Sequence, residues 1–324
     1  MTTQELLVIG TYPYWDMTAM NAEYTMHHVE SDVAAAALPT ALLERVEAIA
    51  VKFHTLPESL MAAMPSLRVI ANYGVGFDNI DIPAATARGI AVTNTPDVLS
   101  DEVADLAVGM LIAQARRLVE AEAWVTEGRW SRDGAFPLQM RVWGKRAGIV
   151  GLGRIGREIA DRLVAFKMDI SYYARTPKET PGWRHYDSVD ALAADVDFLI
   201  VALAGGPETQ GLVGEAALHA LGPEGIVVNI SRGSTIDEAA MIEALRTKAL
   251  GGAALDVFEN EPNIDPRFLT LENVLLQPHQ ASATRDTRAA MGALQRENVA
   301  AYFAGTSLKT PVNPPAEAFG RSTT

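Results

Sequence analysis

The segment that most narrows what this chain can fold into is Gly151-Leu152-Gly153-Arg154-Ile155-Gly156, because of what flanks it. The apolar run AGIV (147–150) leads in, and the helical pattern of REIADRLVAF (157–166) leads out. Between a strand and a helix the three glycines have separate tasks. Gly151 makes a tight turn, Gly153 lets the backbone approach a pyrophosphate, and Gly156 lets the helix lie close on the strand. The helix N-terminus adds unpaired N–H groups and a partial positive charge. The segment therefore predicts a β-α-β unit that binds a dinucleotide, with Gly151, Leu152, Gly153, Arg154 and Ile155 at its phosphates.

At 324 residues the chain suits two domains, each with its own apolar interior. In the first part, LLVIG (6–10), EAIAVK (47–52), LRVIANY (67–73) and IAVTNT (90–95) read as strands, with a helix around 58–64. Ser100 is a candidate N-cap for one long helix over 101–127, with Asp101 and Glu102 in its first turn and Gly128 past its end. A loop with Phe136, Pro137 and Gly144 follows. The strands of the second part are AGIV (147–150), DISYY (169–173), DFLIV (197–201), GIVVNI (225–230), GAALDV (252–257) and NVLLQ (273–277). Such apolar runs suit parallel strands covered on both faces. Helical spacing returns from about 284 to 304, and no repeat of solenoid length is present.

Composition excludes several alternatives. The 48% hydrophobic and 21% charged content is that of a globular protein. No apolar run approaches the roughly 18–20 residues of a membrane span, and MTTQELLVIG lacks the basic and long apolar regions of an export signal. The absence of cysteine removes disulfides, thiolate metal sites and a cysteine nucleophile, and fits a reducing compartment, so the cytoplasm is the expected location. A formal charge of −13 opposes binding to nucleic acid or anionic lipid. No spacing of His, Asp and Glu suggests a metal.

The end of the second strand of the dinucleotide unit indicates which dinucleotide. An acidic residue there, roughly 20 residues past the glycines, bonds the ribose 2′-hydroxyl of NAD. Here the chain has Ala174, followed by Arg175, Thr176 and Lys178. A cation and a hydroxyl suit a 2′-phosphate, so NADP(H) is expected; the alternative is a solvated Arg175 in an enzyme indifferent to the phosphate.

Three segments follow strand ends in the second part: Asn229-Ile230-Ser231-Arg232-Gly233, Phe258-Glu259-Asn260-Glu261-Pro262 and Pro278-His279-Gln280-Ala281-Ser282. In an open parallel sheet such loops gather at the cofactor crevice. Taken singly, the Arg also reads as satisfying carbonyls, the Glu-Pro as shaping a turn and the His as capping a loop. Together with GVGFDNID (74–81), NTPDVLSDEVADLA (94–107), GLGRIG, DVFENEP (256–262) and PHQASATRDTR (278–288), the chain from about Leu67 to Gly305 resembles the D-2-hydroxyacid dehydrogenase family. Within it, the likeness is to the NADP-using glyoxylate, hydroxypyruvate and hydroxyphenylpyruvate reductases. Ala281 departs from the Gly that close relatives often carry, which touches only local backbone freedom.

The resemblance implies two doubly wound parallel α/β domains. A Rossmann dinucleotide-binding domain (100–284) is inserted into a flavodoxin-like substrate domain (1–99 and 285–324), with the active site in the cleft. It implies reduction of a small 2-ketoacid to a D-2-hydroxyacid. Arg232 would contact the substrate carboxylate and carbonyl oxygen through its planar fork of donors. His279 would be the general acid, and Glu261 would fix its tautomer and favour its charged form. The remaining cofactor contacts would come from Ala174, Arg175, Thr176, Val201, Ala202 and Pro207. Ile230, Ser231, Arg232, Asp256, His279 and Ala281 would complete them. Val75 and Gly76 resemble a carboxylate-binding turn of backbone N–H groups. Lys52, Phe53 and His54 end another strand and are candidates for the side-chain pocket, although His54 also reads as a surface histidine; His27, His28, His185 and His219 read as ordinary. A homodimer is implied, with 101–127 and 130–143 on the second subunit and Phe136 to Met140 reaching the partner. Two alternatives stay open on the same scaffold: oxidation of another donor such as phosphite, and a dinucleotide-sensing corepressor-like protein.

Overall fold

The computed structural model describes residues 4–313. Contacts divide them into two units, one formed by residues up to Leu99 together with those from Ala283 on, the other by Ser100–Ser282.

The first unit begins β1 (Glu5–Ile9), α1 (Tyr14–Glu23), β2 (Thr25–Val29), α2 (Asp32–Ala36), α3 (Thr40–Leu43) and β3 (Ala48–Val51). It continues α4 (Glu58–Ala62), β4 (Val69–Asn72), α5 (Ile82–Ala87) and β5 (Ala91–Thr93). All five strands are parallel, in the order β2-β1-β3-β4-β5. Every residue of β3, β4 and β5 is buried, as expected of strands with helices on both faces.

The second unit opens with α6 (Ser100–Ala115), α7 (Leu118–Thr126), α8 (Arg129–Asp133), β6 (Arg146–Val150), α9 (Arg154–Ala165) and β7 (Asp169–Tyr173). There follow β8 (Arg184–Tyr186), α10 (Val189–Ala193), β9 (Phe198–Val201), α11 (Glu215–Leu221) and β10 (Ile226–Asn229). It closes with α12 (Glu238–Arg246), β11 (Gly252–Leu255) and β12 (Val274–Leu276). Its seven parallel strands run β12-β11-β10-β9-β6-β7-β8, so the order reverses between β6 and β9. That reversal marks where loops diverge and a ligand can enter. α9 turns Gly156, Ile159, Ala160 and Leu163 inward, the i, i+3, i+4, i+7 stripe of a helix lying on a sheet.

α13 (Arg285–Phe303) belongs to the first unit and packs on β3, β4 and α1. Thr284 caps it by accepting the Thr287 N–H at 3.1 Å. Its Gln295 donates to the Ala71 carbonyl at 2.7 Å, and its Arg296 pairs with the buried Asp16 of α1. A Cβ on Gly292 would lie 2.1 Å from Asp16 Oδ1, so a glycine is what permits this approach.

The expectation of two parallel α/β sheets holds, with four local corrections. β2 was not foreseen because TMHHV is an edge strand of partly exposed, polar residues and has no apolar run. β8, the three-residue RHY at the other sheet's edge, escapes notice for the same reason. The single helix over 101–127 is two helices, α6 and α7, broken at Arg117, which takes the left-handed conformation with φ 48°. Its N–H bonds to Gln114, three residues back, which closes α6 without a glycine, and its side chain pairs with Glu120. α6 is driven by burial of Val103, Ala104, Ala107 and Leu111, whereas α7 buries none of its side chains in this chain. The loop expected over 130–143 holds the short α8 at its start.

Candidate active site

β6 delivers the glycine loop to the reversal point of the second sheet. Gly151 has φ 101°, and a Cβ there would stand 2.8 Å from the Ala202 carbonyl oxygen after β9. Gly156 lies against Gly151, whose carbonyl oxygen would be 2.0 Å from a Cβ, so α9 can rest on the loop only with glycine at that place. Gly153 is the extended N-cap of α9, has nothing within 4 Å of a Cβ and offers no side-chain cap. No acidic residue stands in that first turn. The loop therefore fits a diphosphate lying over the α9 N-terminus.

Ala174 follows β7, and its carbonyl is bonded by His185 Nε2 at 2.9 Å. Arg175, Thr176 and Lys178 are exposed beyond it. The buried Tyr172 hydroxyl donates to the Lys178 carbonyl at 3.1 Å and accepts the Lys178 N–H at 2.8 Å, which fixes this turn. Arg175 pairs with Glu208 at 2.7 Å, both largely exposed. Such a surface pair is worth about 0–1 kcal/mol, so it is easily exchanged for a stronger anion. Val201 and Ala202 lie at the end of β9, and Pro207 opens the 3-10 turn Pro207–Thr209.

The three loops expected to carry chemistry leave β10, β11 and β12, which are neighbours in the sheet. Asn229, at the end of β10, shapes the first: its Oδ1 accepts the Ser231 N–H at 3.0 Å and its Nδ2 donates to the Arg232 carbonyl at 2.9 Å. Ser231 is buried, with its hydroxyl 2.8 Å from Asn229 Oδ1 and 2.9 Å from Thr235 Oγ1. Arg232 is half-buried and donates to the Ser231 carbonyl at 2.7 Å. Gly233 then packs on the next loop so closely that a Cβ would meet the Phe258 carbonyl carbon at 2.0 Å and the Glu259 nitrogen at 2.3 Å. This close approach brings the Arg232 loop to the Glu261 loop.

Glu261 divides its carboxylate. Oε1 accepts the Phe258 N–H at 2.8 Å, and Oε2 lies 2.6 Å from His279 Nδ1. Burial pushes this carboxyl up, but the His279 bond and charge, the Phe258 N–H and the Arg232 charge outweigh it and hold it below the ordinary 4.5. An ionised Glu261 can only accept, so Nδ1 carries a hydrogen and Nε2 is the nitrogen left to exchange a proton.

The His279 backbone has φ 50°, uncommon for a non-glycine residue. Asp256, fully buried after β11, imposes it. Its carbonyl accepts the His279 N–H at 2.9 Å, Oδ1 that of Gln280 at 2.8 Å and Oδ2 that of Ala281 at 2.9 Å. Burial raises the Asp256 carboxyl above its ordinary value despite these bonds. Ala281 itself avoids the left-handed region, so the missing glycine costs nothing.

In the first unit, Val75 and Gly76 form a turn after β4. Asn72 donates to the carbonyls of Gly74 at 3.3 Å and Gly76 at 2.8 Å, Asn94 donates to that of Val75 at 2.9 Å, and the Thr95 N–H to that of Gly74 at 2.9 Å. With its carbonyls engaged, the turn has N–H donors to offer an anion. Asn72 and Asn94 are buried. His54 Nδ1 lies 3.3 Å from Asp32 Oδ1, and Phe53 is exposed with φ 63°.

Sequence reasoning gives no shaping role to Asn72, Asn94 and Tyr172, and none to Asn229 and Gly233 beyond their place in the Arg232 segment. An asparagine at a strand end followed by a small-residue turn was the available signal. Among the described residues, no group of three or more His, Cys, Asp or Glu is placed to hold a metal, and no helix is long and apolar enough to cross a membrane.

Residues 108–281 match the family model described as D-isomer specific 2-hydroxyacid dehydrogenase, NAD binding domain. The chain is 44% identical over 253 residues to hydroxyphenylpyruvate reductase of Plectranthus scutellarioides, a match spanning 78% of this chain and 80% of the relative. Its structure is similar to that of a 2-hydroxyacid dehydrogenase from Ketogulonicigenium vulgare, with a TM-score of 0.90 and 49% identity over 98% of this chain and 100% of the other. It is similar also to an NADPH-dependent glyoxylate/hydroxypyruvate reductase from Sinorhizobium meliloti in complex with NADP and malonate. That match has a TM-score of 0.92 and 45% identity over 96% of this chain and 97% of the other.

The lowered Glu261 carboxyl sets a pH window. A carboxyl depressed by folding contributes stability that is present above its unfolded value and lost as pH falls through its folded one. The difference in thermal midpoint between the wild type and Glu261→Gln should shrink as pH falls from about 5 to about 3. A difference that stays unchanged down to about pH 3 would contradict this assignment.

Proposed function

The chain belongs to the D-isomer specific 2-hydroxyacid dehydrogenase family, and on that premise we propose that it is an NADP(H)-dependent 2-ketoacid reductase with Arg232, Glu261 and His279 as its catalytic set. The observation that carries the proposal is the 2.6 Å contact of Glu261 Oε2 with His279 Nδ1, on a loop held in shape by Asp256. The similar proteins act on hydroxyphenylpyruvate or on glyoxylate and hydroxypyruvate by their names, and small ketoacids of these kinds are the proposed substrates.

When bound over the glycine loop, a dihydronicotinamide would supply the hydride that the carbonyl carbon needs. His279 gives the Nε2 proton to the carbonyl oxygen, and the product is the D-2-hydroxyacid. Glu261 keeps the hydrogen on Nδ1 and offsets the charge of the imidazolium. Arg232 donates to the substrate carboxylate and carbonyl oxygen at fixed geometry, which orients the ketone. The first unit is assigned the substrate, with Val75 and Gly76 as donors to its carboxylate and Phe53 and His54 near its side chain; the second unit is assigned the dinucleotide.

For the cofactor, Gly151 to Ile155 would hold the diphosphate. Ala174 brings no carboxylate to repel a 2′-phosphate, and Arg175 would exchange its weak partner Glu208 for that dianion, with Thr176 beside it. Val201, Ala202, Pro207, Ile230, Ser231, Asp256 and Ala281 are the further proposed contacts. A cysteine-free chain suits the reducing cytoplasm, the proposed location.

The proposed homodimer rests on what α7 and its neighbours leave uncovered. Leu118, Val119, Val125, Trp130, Leu138 and Trp143 are all exposed, and Leu138 is fully so. Trp124 packs on Phe136 at 5.4 Å between ring centres and donates to the Gly134 carbonyl at 3.0 Å, which holds the loop that displays Leu138. Apolar groups clustered this way mark a surface that a partner covers.

With NADPH and glyoxylate, hydroxypyruvate or phenylpyruvate, His279→Asn should lower kcat by roughly 100-fold or more in a steady-state assay. Near-wild-type turnover would exclude it as the acid. The double variant Ala174→Asp, Arg175→Ile should move the ratio of kcat/KM from NADPH towards NADH; an unchanged ratio would overturn the 2′-phosphate assignment. Light scattering after size exclusion should give twice the chain mass for the wild type and a smaller mass for Trp130→Glu with Leu138→Glu. A wild-type monomer would refute the dimer.

A further inference from the structure

One cationic cluster beside Phe53 has been given no charge-recognition role above. In the first sheet the strand order reverses at β1 and β3, which leaves a crevice at their C-terminal ends. Lys52 follows β3 directly, and its Nζ donates at 2.8 Å to the carbonyl of Thr11, two residues past β1. The side chain therefore spans the reversal point. Three rings surround the ammonium, with centres 5.2 Å away for Tyr73, 5.5 Å for Phe53 and 5.7 Å for Tyr12. Arg288 of α13 faces two of the same rings, 5.6 Å from Phe53 and 6.0 Å from Tyr73. The rings are fixed in turn: Tyr73 donates to the Arg288 carbonyl at 2.7 Å, and Gln295 donates to the Tyr12 hydroxyl at 3.0 Å.

Two facts separate this arrangement from ordinary packing. Lys52 makes no ion pair with a carboxylate among the described residues, and of the three N–H donors of an ammonium only one is engaged by Thr11. Phe53 is 58% exposed although its backbone sits at φ 63°, a conformation that costs an aromatic residue energy and sets its ring beside the ammonium instead of in the core. Burial and the Arg288 charge push the Lys52 amine down to about 8. Ring faces attract each cation, but two cations on shared rings repel, and an anion between them offsets that repulsion.

We propose that Lys52, with Phe53, Tyr73 and Arg288 around it, is a specificity subsite that favours 2-ketoacids carrying a second carboxylate. That second group accepts from the two remaining Nζ donors, and the rings shield the contact from water. The inference rests on the proposed ketoacid reduction and on the first unit's holding the substrate. A substrate as small as glyoxylate has no group to place there.

The test is discrimination, measured as kcat/KM for oxaloacetate or 2-oxoglutarate divided by that for glyoxylate, with NADPH. Lys52→Met should lower this ratio at least tenfold for the better diacid, the order expected of one charge-assisted hydrogen bond, while Lys52→Arg keeps it within about threefold. A ratio unchanged in Lys52→Met overturns the subsite, including the case in which all substrates lose activity equally. Calorimetry with succinate reads the same subsite without turnover. Binding at least tenfold weaker in Lys52→Met than in the wild type supports it, and equal binding or none by the wild type overturns it. Succinate binding that depends on Lys52, with no ketoacid turned over, would instead reject the proposed reductase activity and keep the subsite.

Discussion

The Asp256 carboxylate, fully buried at the end of β11, accepts the N–H groups of Gln280 and Ala281, and the loop that carries His279 takes its shape from those bonds. A buried carboxylate is costly, and two short backbone bonds only partly compensate, which is why burial leaves this group above its ordinary value. The same bonds hold His279 at a positive φ that an isolated histidine would leave. With the backbone fixed, the imidazole meets Glu261, and the Glu261 carboxylate is itself anchored to the Phe258 N–H. Orientation of the His279 imidazole thus descends from a carboxylate that does not touch it.

Close backbone approach is the second constraint. Gly156 against Gly151 and Gly233 against Phe258 are places where a Cβ would come within 2.0 Å of main-chain atoms. The first sets α9 on the glycine loop, so that the helix N-terminus points at the space where phosphates belong. The second locks the Arg232 loop to the Glu261 loop. Within this one sheet, then, the glycine loop and the loops of Arg232 and Glu261 are placed by contacts that exclude any side chain.

The two units handle charge differently. Around Glu261, opposite charges and N–H donors stabilise the ionised form. Around Lys52, the ammonium meets aromatic faces and one backbone carbonyl, which hold a positive charge by ring faces and a dipole. The Val75–Gly76 turn, with carbonyls tied to Asn72 and Asn94, adds N–H donors of the same polarity in that unit.

The parallel α/β class, the glycine loop and the strands buried on both faces were legible because each is encoded over a few adjacent residues: apolar runs such as IVVN, glycines in GLGRIG and the helical stripe that follows. Arg232, Glu261 and His279 were singled out as short segments after strands, and the structure sets Glu261 and His279 2.6 Å apart. The edge strands β2 and β8 were not legible, since water on one side removes their apolar signature. Nor was the break at Arg117, where no glycine or proline announces a left-handed residue. By itself the sequence determined the elements whose periodicity is local. Tertiary structure alone decided the His279 backbone, the company of Lys52 and the pairing of Arg175 with Glu208, because those depend on residues distant in the chain that only the folded sheets bring together.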